Sequence, residues 1–200
     1  MTVRPPTKKF EEYAYVLDHL QRGYPEDTRP IFKKEPIVQA VGDTYFTLLE
    51  LVPRKGARFN PQEAIFIGRD RREKIDHVKR RITFDVLTAT SRSELPFVIE
   101  KLVEKSEARF VEFFNNAPPL TTRMHRLELL PGIGKKLMWD ILEERRKAPF
   151  TSFQDIADRT QLRAPKEIIV KRIMMELGGE DKYNLFTRKP VAEKESGRSQ

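Results

Sequence analysis

Leu130-Pro131-Gly132-Ile133-Gly134-Lys135-Lys136-Leu137 joins two stretches of helical periodicity, and its reading decides how the second half of the chain folds. The chain has to reverse within about four residues, and glycines adopt the backbone angles that such a bend needs. Ile133, between the glycines, is placed to plug the crevice between the flanking helices. Gly134 opens the second helix, whose first amide N–H groups have no partner within a helix. Those donors and the positive end of the helix dipole make an anion site. Glycines leave it uncovered, and Lys135 and Lys136 add charge beside it. Contacts of this kind hold a nucleic-acid backbone without reading bases.

The neighbouring residues extend the helical pattern in both directions. Leu95, Val98, Ile99, Leu102, Phe110, Phe113 and Phe114 recur at spacings of three and four, which predicts one amphipathic helix that ends before Asn115-Asn116-Ala117-Pro118-Pro119. Shorter helices are predicted over 122–130, 135–147, 153–160 and 166–177. Ser152 and Asp155 open the third of these in the manner of a capping box, and Gly178-Gly179 stops the fourth. Trp139 lies off the stripe formed by Leu137 and Ile141 and is expected to pack against a neighbouring helix. The hairpin between the last two helices would fall at Leu162-Arg163-Ala164-Pro165. It lacks both glycines and reads as structural, with Arg163 and Lys166 as further candidates for phosphate contact.

Before residue 93 the signal is β. Aromatic and β-branched runs at 12–17, 37–41, 45–52, 64–67 and 78–86 are separated by turn residues such as Gly42-Asp43. Five short strands with little helix suggest a small closed barrel, of which the oligonucleotide-binding (OB) type is one option. The fold class is therefore α+β. An OB-like barrel occupies 1–92, a helical region 93–189, and a loose tail 190–200. The most basic stretch, Arg69, Arg71 and Arg72 followed by Lys79, Arg80 and Arg81, falls near a strand-to-strand connection, where such barrels bind nucleic acid. A solvated loop paired with Asp70, Glu73 and Asp76 is the competing reading. Tyr13, Tyr15, Tyr45, Phe59 and Phe66 are either core residues or a platform for stacked bases.

The turn resembles the helix-hairpin-helix motif of DNA repair and recombination proteins in residue type and spacing. That resemblance implies phosphate contact through the amides near Gly132 and Gly134, in some members with a monovalent cation held by hairpin carbonyls. The segment 150–156 resembles the connector to a second unit in tandem versions. The whole chain also resembles an archaeal family, domain of unknown function 655, which pairs an OB-like barrel with tandem helix-hairpin-helix motifs. The residues that carry this likeness are 11–18, Lys79-Arg80-Arg81-Ile82, 93–99 and the turn. The family is predicted to bind nucleic acid, with a slight tilt towards RNA, and brings no catalytic residues. In helix-hairpin-helix DNA glycosylases a lysine follows the hairpin and an aspartate lies further on. Lys136 and Asp155 occupy similar places, but Asp155 has a capping role and the surrounding pattern differs.

A net charge of +8 and a sequence pI of about 9.7 favour a polyanionic partner. The chain has no cysteine, which excludes disulfides and thiolate chemistry. His19, His77 and His125 lack ligand spacing, so no metal site is predicted. The start of the chain lacks the apolar segment of a secretory signal, and no run approaches the roughly 20 residues of a membrane span, so a cytoplasmic protein without a membrane partner is expected. The expectation is a largely sequence-independent RNA- or DNA-binding protein. A nucleic-acid-processing enzyme of the glycosylase kind and a protein–protein scaffold are the alternatives.

Overall fold

The computed structural model describes residues 10–30, 33–179 and 181–188. Five strands, β1 (Tyr13–Leu20), β2 (Ile37–Gly42), β3 (Leu48–Pro53), β4 (Ala64–Phe66) and β5 (Ile75–Arg81), form one antiparallel sheet in the order β4-β1-β2-β3-β5. β2 and β3 are buried along their whole length. One face carries the core of Ala14, Val16, Val38, Ala40, Leu49 and Leu51. The other carries Gln39 and Glu50, which Tyr24 bridges by donating to Glu50 (2.5 Å) and accepting from Gln39 (2.7 Å). Burial, with the Glu50 carboxylate beside it, pushes the Tyr24 phenol up to about 12.

The sheet curls into a half-barrel, and the expectation of a closed OB barrel is corrected. Register shifts at Val16/Asp18 on β1 and twice in the β3–β5 ladder act as bulges that bend the strands. β4 and β5 lie at opposite ends of the order and share no ladder among the described residues. β4 is only three residues long and pairs with β1. The strand read over 78–86 stops at Arg81 and passes into a 3-10 turn, Phe84–Val86.

Five helices follow: α1 (Ala89–Lys105), α2 (Glu107–Asn116), α3 (Lys135–Lys147), α4 (Phe153–Arg159) and α5 (Pro165–Gly178). α1 starts earlier than the periodicity suggested, because the Thr88 hydroxyl accepts the Ser91 N–H at 3.0 Å. The single helix expected to run to Phe114 divides at Ser106, whose N–H is shared between the carbonyls of Leu102 (3.1 Å) and Val103 (3.2 Å). The Ser152 hydroxyl caps α4 by accepting the Asp155 N–H, and Gly179, at φ 74°, closes α5.

The helix expected over 122–130 is replaced by a 3-10 turn, Arg126–Leu129, so the chain does not enter the glycine turn from an α-helix. Local polar bonds win here. The Thr121 hydroxyl accepts the N–H of Arg123 and Met124, and the Met124 carbonyl accepts those of Leu120 and Thr121. The described residues form two compact units, one of residues up to Leu95 with Phe186–Arg188, the other Pro96–Leu185. The tail read at 190–200 lies outside the described residues. No helix among those described is long and apolar enough to cross a membrane.

Candidate functional site

In the second unit the bend is built as the residues require. Gly132 takes φ 84°, a left-handed angle that side chains disfavour, and Ile133 is buried. The Ile133 N–H returns to the Leu130 carbonyl at 3.1 Å, so this amide, one of those expected to hold phosphate, is already bonded within the chain. Gly134 caps α3 with extended backbone and no side-chain bond. Gly132, Gly134, Lys135 and Lys136 are exposed, and a Cβ built on either glycine meets nothing within 4 Å. Among the described residues the amides of Gly132, Gly134, Lys135 and Lys136 have no acceptor, and neither lysine ammonium has an ionic partner.

The turn is braced from behind. His125 caps the 3-10 segment: its Nδ1 accepts the Leu127 N–H at 3.1 Å, and its own N–H donates to Glu128. Burial holds the His125 imidazole below its ordinary value, and the Arg145 charge acts in the same direction. Arg172 on α5, only 1% exposed, donates to the Leu129 carbonyl at 2.8 Å and to Glu176 at 2.8 Å. It also binds Asp181 and the Tyr183 carbonyl. Neither His125 nor Arg172 was singled out from sequence, because both act through partners that periodicity does not reveal.

Trp139 is 57% exposed, so the expected packing against a neighbouring helix is corrected. It lies three and four positions after Lys136 and Lys135 on α3, which puts all three along one side of the helix. Lys166 is held by Glu100 (2.8 Å) and Glu104 (2.7 Å), a pairing that raises its pKa and occupies its ammonium. Asp155 accepts the Thr151 N–H at 2.9 Å and pairs with Arg159 at 3.2 Å; that backbone bond first, and then the Arg159 charge, hold its carboxyl low.

The basic stretch of the first unit is divided by the fold. Arg69, Arg71 and Arg72 lie on the β4–β5 connection and Lys79, Arg80 and Arg81 on β5. Arg69, Arg72, Arg80 and Arg81 line a cleft of about 790 Å³ together with Leu49, Phe66 and Ile67. Arg71 lines a separate hollow beside Glu73 and Lys74, and Lys79 is paired with Glu35 at 2.7 Å. Arg80 faces Glu50 across the β3–β5 ladder and bonds it at 2.8 Å. The aromatic residues do not form one platform: Tyr15 is buried, Phe59 packs on the core, and Tyr13 stands exposed with its ring edge-on to Phe66. Among the described residues no group of three or more His, Asp or Glu could hold a metal.

The family model described as "Protein of unknown function (DUF655)" matches residues 10–188. An uncharacterized protein of Methanocaldococcus jannaschii is 48% identical over 183 residues, covering 90% of this chain and 82% of the relative. A crystal structure of an Archaeoglobus fulgidus protein of the same family superposes with a TM-score of 0.82 at 47% identity, covering 89% of this chain and all of that one.

Proposed function

We propose, from the premise that this chain belongs to the DUF655 family, that it binds DNA or RNA by its phosphate backbone, largely without regard to sequence. One observation carries the reading: among the described residues, exposed amides at Gly132, Gly134, Lys135 and Lys136 are unbonded and lie beside two lysines that no carboxylate neutralises. We read the segment as a hairpin of the helix-hairpin-helix kind whose first limb is shortened to a 3-10 turn. The half-barrel is then an open relative of the OB type, offering Arg69, Arg72, Arg80 and Arg81 to a second stretch of backbone. A phosphate oxygen at the turn would replace water on donors that the helix leaves free, with the helix dipole favouring the negative charge.

Binding of mixed-sequence DNA and RNA, each single- and double-stranded, across a range of salt concentrations tests this. Affinity that falls steadily with salt and differs little between sequences is the expected result. Absence of binding to any of the four forms, or affinity indifferent to salt, overturns it in favour of a scaffold.

A further inference from the structure

The cleft of the first unit reaches from its rim to Leu49 and Ile67 of the core, and its 790 Å³ falls within the roughly 300–1,000 Å³ typical of small-ligand sites. Its charge is lopsided. Five lining side chains are arginines, the fifth being Arg188, which follows the buried Phe186 in the segment returning to this unit. Of the carboxylates on the wall, Glu11 is buried and engaged, accepting the N–H groups of Thr44 (2.9 Å), Tyr45 (3.1 Å) and Thr47 (3.1 Å). Arg80 is tied to Glu50, and Arg72 donates to the Gly68 carbonyl at 2.9 Å.

Arg81 differs from these. It pairs with Leu49 in the β3–β5 ladder and so lies on the face that carries the core. Its guanidinium makes no hydrogen bond or ion pair among the described residues. Arg81 is exposed as a residue, and partial desolvation of its guanidinium lowers its pKa, the like charge of Arg188 lowers it further, and Glu11 opposes the two. Two guanidiniums this close attract an oxyanion whatever else Arg188 contacts, and their forked geometry suits phosphate. Aromatic surface completes the wall. Phe10 is half exposed with Arg69 over its ring at 5.0 Å, and the Phe66 ring lies where Gly68 has no side chain, since a Cβ there would come within 2.5 Å of it.

The geometry points to a site for one unstacked nucleotide, its phosphate between Arg81 and Arg188 and its ring against Phe10 and Phe66. The strand as its source rests on the nucleic-acid reading above; the chemistry of the site is that of any nucleoside monophosphate. A duplex cannot supply the ring, because its bases are paired and stacked.

Adenosine monophosphate is titrated into the 15N-labelled full chain, and binding of a short single strand and of a blunt duplex is followed by fluorescence anisotropy. Adenosine monophosphate is expected to shift the amides of Gly68 and Arg81. Arg81→Ser should lower single-strand affinity about tenfold, the loss expected for a charge-assisted contact, and lower duplex affinity by clearly less, since a duplex offers Arg81 a backbone phosphate but no ring for the cleft. A Lys135→Gln/Lys136→Gln variant should lower duplex affinity and keep the adenosine monophosphate shifts. Shifts without binding of any strand support the cleft as a free-nucleotide site and refute the nucleic-acid reading. Absence of shifts at Gly68 and Arg81, or single-strand affinity untouched by Arg81→Ser, overturns the cleft and leaves the turn standing.

Discussion

Replacing Lys135 and Lys136 by glutamine removes two charges from the turn without disturbing a bond, since neither ammonium is paired among the described residues. Both are exposed, so stability is expected to stay within about 0.5 kcal/mol of the parent. The effect on binding follows from counting only free cations. Each neutralised phosphate contributes about −0.9 to the slope of log affinity against log salt on duplex DNA, or about −0.7 on single strands. Losing two such contacts should make the slope shallower by about 1.8 on duplex or 1.4 on single strands. The control is Lys79→Gln/Lys166→Gln. Its two ammoniums are already held by Glu35 and by Glu100 with Glu104, so its slope should change much less. Fluorescence anisotropy with a labelled duplex over several salt concentrations reads both variants. Equal changes in the two would refute the argument, because they would mean that overall charge, not the turn, governs binding. An unchanged slope in the first variant would refute it as well.

Three further outcomes are expected. Arg172→Met should destabilise the second unit by about 3–5 kcal/mol, because it leaves the buried Glu176 without its cation and frees the Leu129 carbonyl; urea denaturation followed by circular dichroism reads this, and a loss below about 1 kcal/mol contradicts it. His125, with its pKa held low, contributes stability that is complete above its ordinary value of 6.5 and is lost as pH falls below it, because a protonated Nδ1 cannot accept the Leu127 N–H. A lower protection factor at Leu127 on acidification, with the rate taken relative to the intrinsic rate at each pH and the effect flattened in His125→Asn, is the expected sign; equal pH dependence of protection in both proteins contradicts it. Gly42→Ala should cost about 1–3 kcal/mol, because its Cβ would come within 2.2 Å of the Glu11 carboxyl carbon and that group is fixed by three backbone donors; a melting temperature equal to the parent's would show that Glu11 yields.

The chain belongs to a family whose described relatives are uncharacterised, so the reading of function stands on the residues themselves. Much of the turn was legible because its causes lie within a few residues. Glycines at 132 and 134, a buried Ile133 and an α3 that begins at Lys135 follow from backbone angles and from donors left over at a helix start. The Ser152 cap and the Gly179 stop are equally local. Other readings failed where a short polar side chain competed with the helix, as at Thr121; where the backbone N–H of Ser106 is shared between two carbonyls; or where a three-residue strand could not close the barrel.

By itself, then, the sequence determined the α+β class, the basic balance, and the geometry of a bend whose forces act between near neighbours. Tertiary structure alone decided which cations are free. Lys166 and Lys79 look like Lys135 in the sequence, yet carboxylates 44 to 66 positions away claim them. It also brought Phe186–Arg188 back to the unit that carries Arg81, and sank Glu11 into the space left by Gly42. Contacts between distant residues form only when the fold as a whole meets the entropy of ordering the chain between them, and no local pattern records that balance.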